Sequence, residues 1–203
     1  MKRSRRSEWV ADILEATPSI IFLALWRSDV DMQLAGWIGA TLAAIQLVGF
    51  RGLRIQFNPI MLGINVHLLI ITPLIMTVFH IGARELSDTL VAHSYRGVLI
   101  TVFLVGCALT ALSKHGFIGV DNLSKSDRWK QSTILLAASV LAIVWAFSYR
   151  GNTVLAVAAP LIGLFALRRF LLARNFDNDN QVGSLVTAST GSAIVAGTET
   201  DSI

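Results

Sequence analysis

The sequence predicts an all-α fold: a polytopic membrane bundle of six transmembrane helices with both termini in the cytoplasm. Two observations carry that expectation. Six apolar stretches, at 9–26, 32–50, 58–80, 94–113, 132–149 and 153–172, have the length a bilayer core demands, about 17 to 25 residues each. The 17 Lys and Arg residues also sort to one side of those stretches. Six passes put Lys2, Arg3, Arg5, Arg6, Arg51, Arg54, Lys114, Lys125, Arg128, Lys130, Arg168, Arg169 and Arg174 on one face and only Arg27, Arg84, Arg96 and Arg150 on the other. Moving Lys and Arg outward against a membrane potential is unfavourable, so the basic face is the cytoplasmic one. This predicts a bacterial inner-membrane protein.

Composition agrees. With 54% hydrophobic residues and a mean hydropathy of +0.63 over 203 residues, the chain is far more apolar than a soluble domain. The expected organisation is a basic N-terminal segment at 1–8, one transmembrane domain at 9–172 and a polar, disordered cytoplasmic tail at 173–203. The pI near 9.7 follows from basic residues that flank spans, and they form no stripe interleaved with exposed aromatics, so nucleic acid is not an expected partner. The lone Cys107 sits inside the fourth stretch as a small hydrophobe, with no intrachain disulfide to make.

The first span is bracketed by Trp9 and Trp26, about 26 Å apart at 1.5 Å per residue. Its basic start resembles a signal sequence, but Asp12 and Glu15 interrupt any compact apolar core, so a retained signal anchor is expected. Glu8, Asp12 and Glu15 fall at helical spacing on one face. Pro18, which has no N–H, frees the carbonyl of Leu14 for another partner. Pro18–Trp26 alone reaches only about 14 Å, so part of the acidic segment must enter the membrane. Two readings follow for Glu15. It is a proton- or cation-handling group set against Arg51 or Arg54, or it belongs to an interfacial amphipathic helix whose acids face water.

A connection of only a few residues, at 27–31, makes the second span an antiparallel neighbour of the first. Its stripe of Gly36, Ala40 and Ala44 suits close helix packing, and Gln46 is a plausible polar partner. The third span opens with Asn58 as N-cap and Pro59 at the first helical position. Asn58, Asn65 and Thr72 recur at spacing seven on one face, with His67 on another. They are either interhelical hydrogen-bonding groups or a polar seam along a substrate or ion path in which His67 titrates.

His80, Glu85, Asp88 and His93 surround the connection at 81–93. They are metal-ligand types, but their spacing matches no compact motif, so neither metal nor cofactor is expected. The fourth span ends beside Lys114 and His115. The longest connection, 114–131, contains Gly116, Gly119 and Asp121-Asn122, and is where a hinge would lie. Ala138, Ala142 and Ala146 give the fifth span a second packing stripe. Asn152 caps the sixth, where Pro160 bends the helix and Ala156, Gly163 and Ala166 are small. Trp37, Trp129, Tyr95 and Tyr149 fall near interfaces, as amphipathic rings do. The tail carries Asp177, Asp179, Glu199 and Asp201 with no base after Arg174, so the formal net charge of +4 understates how cationic the membrane-proximal face is.

There is no phosphate-cradling loop, no H-E-x-x-H, no G-x-S-x-G and no Cys/His pair of hydrolase type, so no enzyme is predicted. The run Pro18-Ser-Ile-Ile-Phe-Leu-Ala-Leu-Trp26, a short acidic connection, a small-residue second span and the basic turn at Arg51–Arg54 resemble the start of bacterial intracellular septation protein A and its relatives. The resemblance covers about residues 15–80. It implies a small inner-membrane protein concerned with cell-envelope organisation or division, and it assigns no site residue. The leading expectation is therefore a non-enzymatic protein acting by association in the bilayer, as a homo-oligomer or with a membrane-protein partner. The alternative is a small transporter or channel that uses Glu15, Gln46, Asn65, His67 and Thr72.

Overall fold

In a computed structural model of the chain, the residues described are 5–28, 30–52, 57–120, 124–152 and 154–174, with the side chains of 5–13, 23, 26 and 32 outside that description. Among these residues the chain forms six helices and no strand. They are α1 (Arg5–Arg27), α2 (Met32–Gly52), α3 (Pro59–His80), α4 (Arg84–Leu112), α5 (Lys125–Ser148) and α6 (Val154–Arg174). Helices α2 to α6 are long and apolar enough to cross a membrane. Helix α1 has 23 residues, about 34 Å of length. The side chains of Glu8, Trp9, Asp12 and Trp26 lie outside the described set, as do Arg54 and the whole predicted tail beyond Arg174.

Helix ends follow local chemistry. Asn58 Oδ1 accepts from Ile60 N at 3.2 Å with Pro59 at the first helical position. Asn152 Oδ1 accepts from Val154 N at 2.8 Å, so both expected caps form. A third cap precedes α5: Ser124 Oγ accepts from Asp127 N at 3.1 Å and donates to Asp127 Oδ2 at 2.7 Å. Helices α4 and α5 both begin well before the apolar stretches that predicted them. Their first turns are polar, and hydropathy is blind to a helix that projects past the bilayer.

The chain divides into two units, 1–164 and 165–203, with the boundary inside α6. In the second, the described residues 165–174 continue α6 and leave Phe170 exposed. In the first, α3 is central, packing most extensively on α4 and then on α2, while α4 also packs on α5 and α1 on α2. Glycines set the closest approaches. A Cβ on Gly63 would stand 2.7 Å from Val102 Cα, and one on Gly36 would stand 3.2 Å from Thr72 Cγ2. With little hydrophobic drive between helices in lipid, such contacts supply the dispersion that holds them together.

The predicted stripes hold in part. On α2, Gly36 and Ala40 are buried, and Ala43 takes the place assigned to Ala44 because the helical repeat drifts past four residues. On α5, Ala142 and Ala146 are buried beside Leu135 and Ser139, while Ala138 is half-buried. On α6 the expectation is corrected: Ala156 is buried, but Gly163 and Ala166 are exposed. Among the described residues, nothing lies within 4 Å of where a Gly163 Cβ would be.

Large apolar side chains crowd the outside. Leu112 is 86% exposed, Val48 74% and Leu141 70%. In water each would forgo about 1.5–3 kcal/mol of burial, whereas against acyl chains the same surface carries no such penalty.

Candidate functional site

The proline in α1 opens the first site. Pro18 has no N–H for the Leu14 carbonyl, and Gln46 Nε2 of α2 donates to that oxygen at 2.9 Å. This donation fixes which way the Gln46 amide faces, so its Oε1 accepts from Asn65 Nδ2 of α3 at 3.1 Å. Asn65 Nδ2 also reaches the Glu15 backbone carbonyl at 3.5 Å, the outer limit of a hydrogen bond. The Asn65 Oδ1, fully buried, has no hydrogen-bond partner among the described residues.

Glu15 completes the cluster. Its side chain is only 2% exposed, and both carboxyl oxygens accept from the backbone N–H of Asn58 at 3.1 Å. Asn58 is the N-cap of α3, so a carboxyl group from α1 sits at the positive end of the α3 dipole. Such placement contributes about 0.3–1 kcal/mol at exposed sites and up to ~2 kcal/mol when partly buried. The sequence pointed to Arg51 or Arg54 for this role. Arg51 is exposed, and Arg54 lies outside the described residues. Glu15, Gln46 and Asn65 thus meet, and what they build is a three-helix clamp joining α1, α2 and α3.

His67 and Thr72 stand apart from it. Thr72 Oγ1 donates to the Gly36 carbonyl of α2 at 3.4 Å, two turns further along α3 than Asn65. His67 faces α4. Its Nδ1 lies 3.0 Å from Thr101 Oγ1, which donates to the Gly97 carbonyl at 3.0 Å. With its single proton directed to Gly97, the Thr101 hydroxyl has a lone pair to offer the ring nitrogen. Gly97 makes room for the ring, since a Cβ there would stand 3.0 Å from His67 Cε1.

His67 lines a cavity of about 520 Å³ between α1, α3, α4 and α6, together with Ser19, Phe22, Tyr95 and Val157. Ser19 Oγ has no hydrogen-bond partner among the described residues. A second cavity of about 380 Å³ shares Phe22, Leu68, Ile71, Val91 and Ser94 with the first and adds Asp31 and Asp88. The walls are chiefly aliphatic, so the space suits an apolar body with one or two hydrogen-bonding groups. Thr101 and Gly97 were not singled out in the sequence. The signal available was a small residue and a hydroxyl four apart on the face of α4 turned to α3.

The residues around the third connection turn to their own helices. His80 Nδ1 bonds the Met76 carbonyl at 2.7 Å and His93 Nδ1 the Thr89 carbonyl at 2.9 Å. Among the described residues, no group of three His, Cys, Asp or Glu side chains gathers where it could hold a metal ion. Compared with known proteins, the chain matches no family model, no curated protein and no solved structure.

Proposed function

We propose that this chain is a six-span plasma-membrane protein of bacterial type, with both termini cytoplasmic, that acts by association in the envelope and not by catalysis. The observation behind this reading is how its intramembrane polar groups are used. Glu15, Gln46, Asn65 and Thr72 take part in joining α1, α2 and α3, while aliphatic side chains and Gly163 of α6 are exposed. Such a body is built to hold its shape in lipid and to meet another membrane protein or a second copy through its outer helices. The partial likeness of residues 15–80 to septation protein A relatives accords with a role in envelope organisation or division. The test is a clean deletion combined with crosslinking and co-purification from membranes. An envelope or division defect and a recurrent membrane partner are expected. Normal envelopes together with a lone monomer would overturn the reading.

A second reading rests on the His67 cavity: a small transporter or channel whose passage runs past His67 and Ser19. Here Glu15 supports the frame and His67 touches the solute. His67→Ala should then abolish flux in proteoliposomes while leaving the helical content intact. Unchanged flux in His67→Ala, or no flux for any cation, anion or amphiphile tried with the native chain, would remove it.

A further inference from the structure

Hydroxyls inside these helices commonly turn back on their own backbone. Thr77, Thr101, Thr110 and Ser139 each donate to the carbonyl four residues earlier, at 2.8 to 3.0 Å. Ser19 of α1 does not, and its buried Oγ has no hydrogen-bond partner among the described residues. The carbonyl four residues before it is that of Glu15, which Asn65 Nδ2 of α3 approaches at 3.5 Å. A hydroxyl taken from water and left without a partner is destabilising, so Ser19 Oγ is an open hydrogen-bonding position.

That position lines the His67 cavity of about 520 Å³, within the range of about 300–1,000 Å³ usual for small-ligand sites. Phe22, one turn beyond Ser19, lines both this cavity and the adjoining one, and its stem is seated on α2: a Cβ on Gly39 would stand 3.2 Å from Phe22 Cβ. Ile64, Leu68 and Ile71 of α3 and Val157 and Leu161 of α6 supply hydrocarbon. His67 is turned to Thr101 at 3.0 Å. No Asp, Glu, Lys or Arg lines this cavity. An ionic group at the depth of Ser19 would therefore meet no counter-charge in the wall, and an ion in hydrocarbon is costly without one. Water is a poor occupant, because it needs about two to four polar partners and the wall is chiefly aliphatic. A phospholipid tail is a poor match too, since its hydrocarbon has no oxygen to offer Ser19.

We infer that this cavity binds an uncharged amphiphile, a hydrocarbon body bearing one hydroxyl or carbonyl oxygen that pairs with Ser19 Oγ. The inference takes up the cavity of the second reading above and gives it an occupant, and it stands on binding alone, without passage across the membrane. The experiment places the full chain in phosphatidylcholine nanodiscs with a diazirine-bearing long-chain alcohol as photolabel, and with dodecanol, dodecane and dodecyltrimethylammonium as competitors. Peptide mapping should find the label on the parts of α1, α3 and α6 that line the cavity. Dodecanol should displace it, whereas dodecane and dodecyltrimethylammonium at equal membrane concentration should not. Ser19→Ala should weaken binding about fivefold, the loss of one hydrogen bond, and Val157→Phe, which fills the space, should abolish the mapped label. Val140→Phe, on the exposed side of α5, should change neither. Label spread evenly over exposed α5, equal displacement by dodecane, or native affinity in Ser19→Ala would overturn the site. Stronger displacement by dodecyltrimethylammonium would overturn the uncharged class. Circular dichroism of each variant separates lost binding from lost fold. Because no gradient is applied, a failed flux assay removes the transporter reading and leaves mapped binding intact, while absent labelling removes this inference without touching the flux of another solute.

Discussion

Glu15, Gln46 and Asn65 show how a single missing N–H propagates. The proline at 18 strands one carbonyl, one amide turns to meet it, and a second amide is oriented by the first. Gln46→Leu should therefore cost more than one hydrogen bond, because it leaves both the Leu14 carbonyl and the Asn65 Nδ2 short of a partner. A loss of about 1–3 kcal/mol is expected, read as a lower thermal midpoint in detergent. Pro18→Ala tests the same logic from the other side: it restores the donor within α1, so Gln46→Leu should be less damaging in that background. Additive effects of the two changes would contradict the coupling. The Leu14 vacancy was legible in the sequence because it depends only on the residue four positions on. The Asn58 amide that meets Glu15 was not: a backbone amide belongs to nearly every residue, and only the arrival of α3 beside α1 selects that of Asn58, while Arg54, which the sequence also offered to Glu15, lies outside the described residues.

At the scale of the elements, the described part of the connection after α4 packs as a plug, while 121–123 lie outside the described residues. Phe117 is fully buried against α4, where a Cβ on Gly106 would stand 2.9 Å from its ring. Gly106→Ala should thus destabilise α4 and α5 packing by about 1–3 kcal/mol, and Phe117→Leu in the same chain should recover part of that loss. A Gly106→Ala variant as stable as the native chain would show that the ring moves freely. Glycine spacing marked the turn in the sequence, yet mobility and tight folding call for the same residue there. Burial decides between them, and burial is a property of the packed bundle. The caps at Asn58 and Asn152, by contrast, were readable because donor and acceptor lie two residues apart.

For the whole molecule, hydropathy made the helical class plain, since five of the helices are long and apolar enough to cross a membrane. It left both cavities invisible, because the His67 cavity arises where α1, α3, α4 and α6 do not close completely and its neighbour where α1, α2, α3 and α4 do not. The proposed six-span topology predicts opposite labelling from opposite sides. In a Cys107→Ala background, Asn152→Cys should react with an impermeant maleimide added outside intact cells, and Ser124→Cys only after the inner face is opened. The reverse pattern would invert the orientation. The three-helix clamp also bears on how such a chain is made. Helix α1 precedes its partners in the chain: it carries the Leu14 and Glu15 carbonyls and the Glu15 carboxyl group, and Gln46, Asn58 and Asn65, which meet them, are synthesised later. The clamp is therefore complete only once α3 is in place, and a fragment ending after α1 or α2 lacks contacts that one reaching past α3 can make.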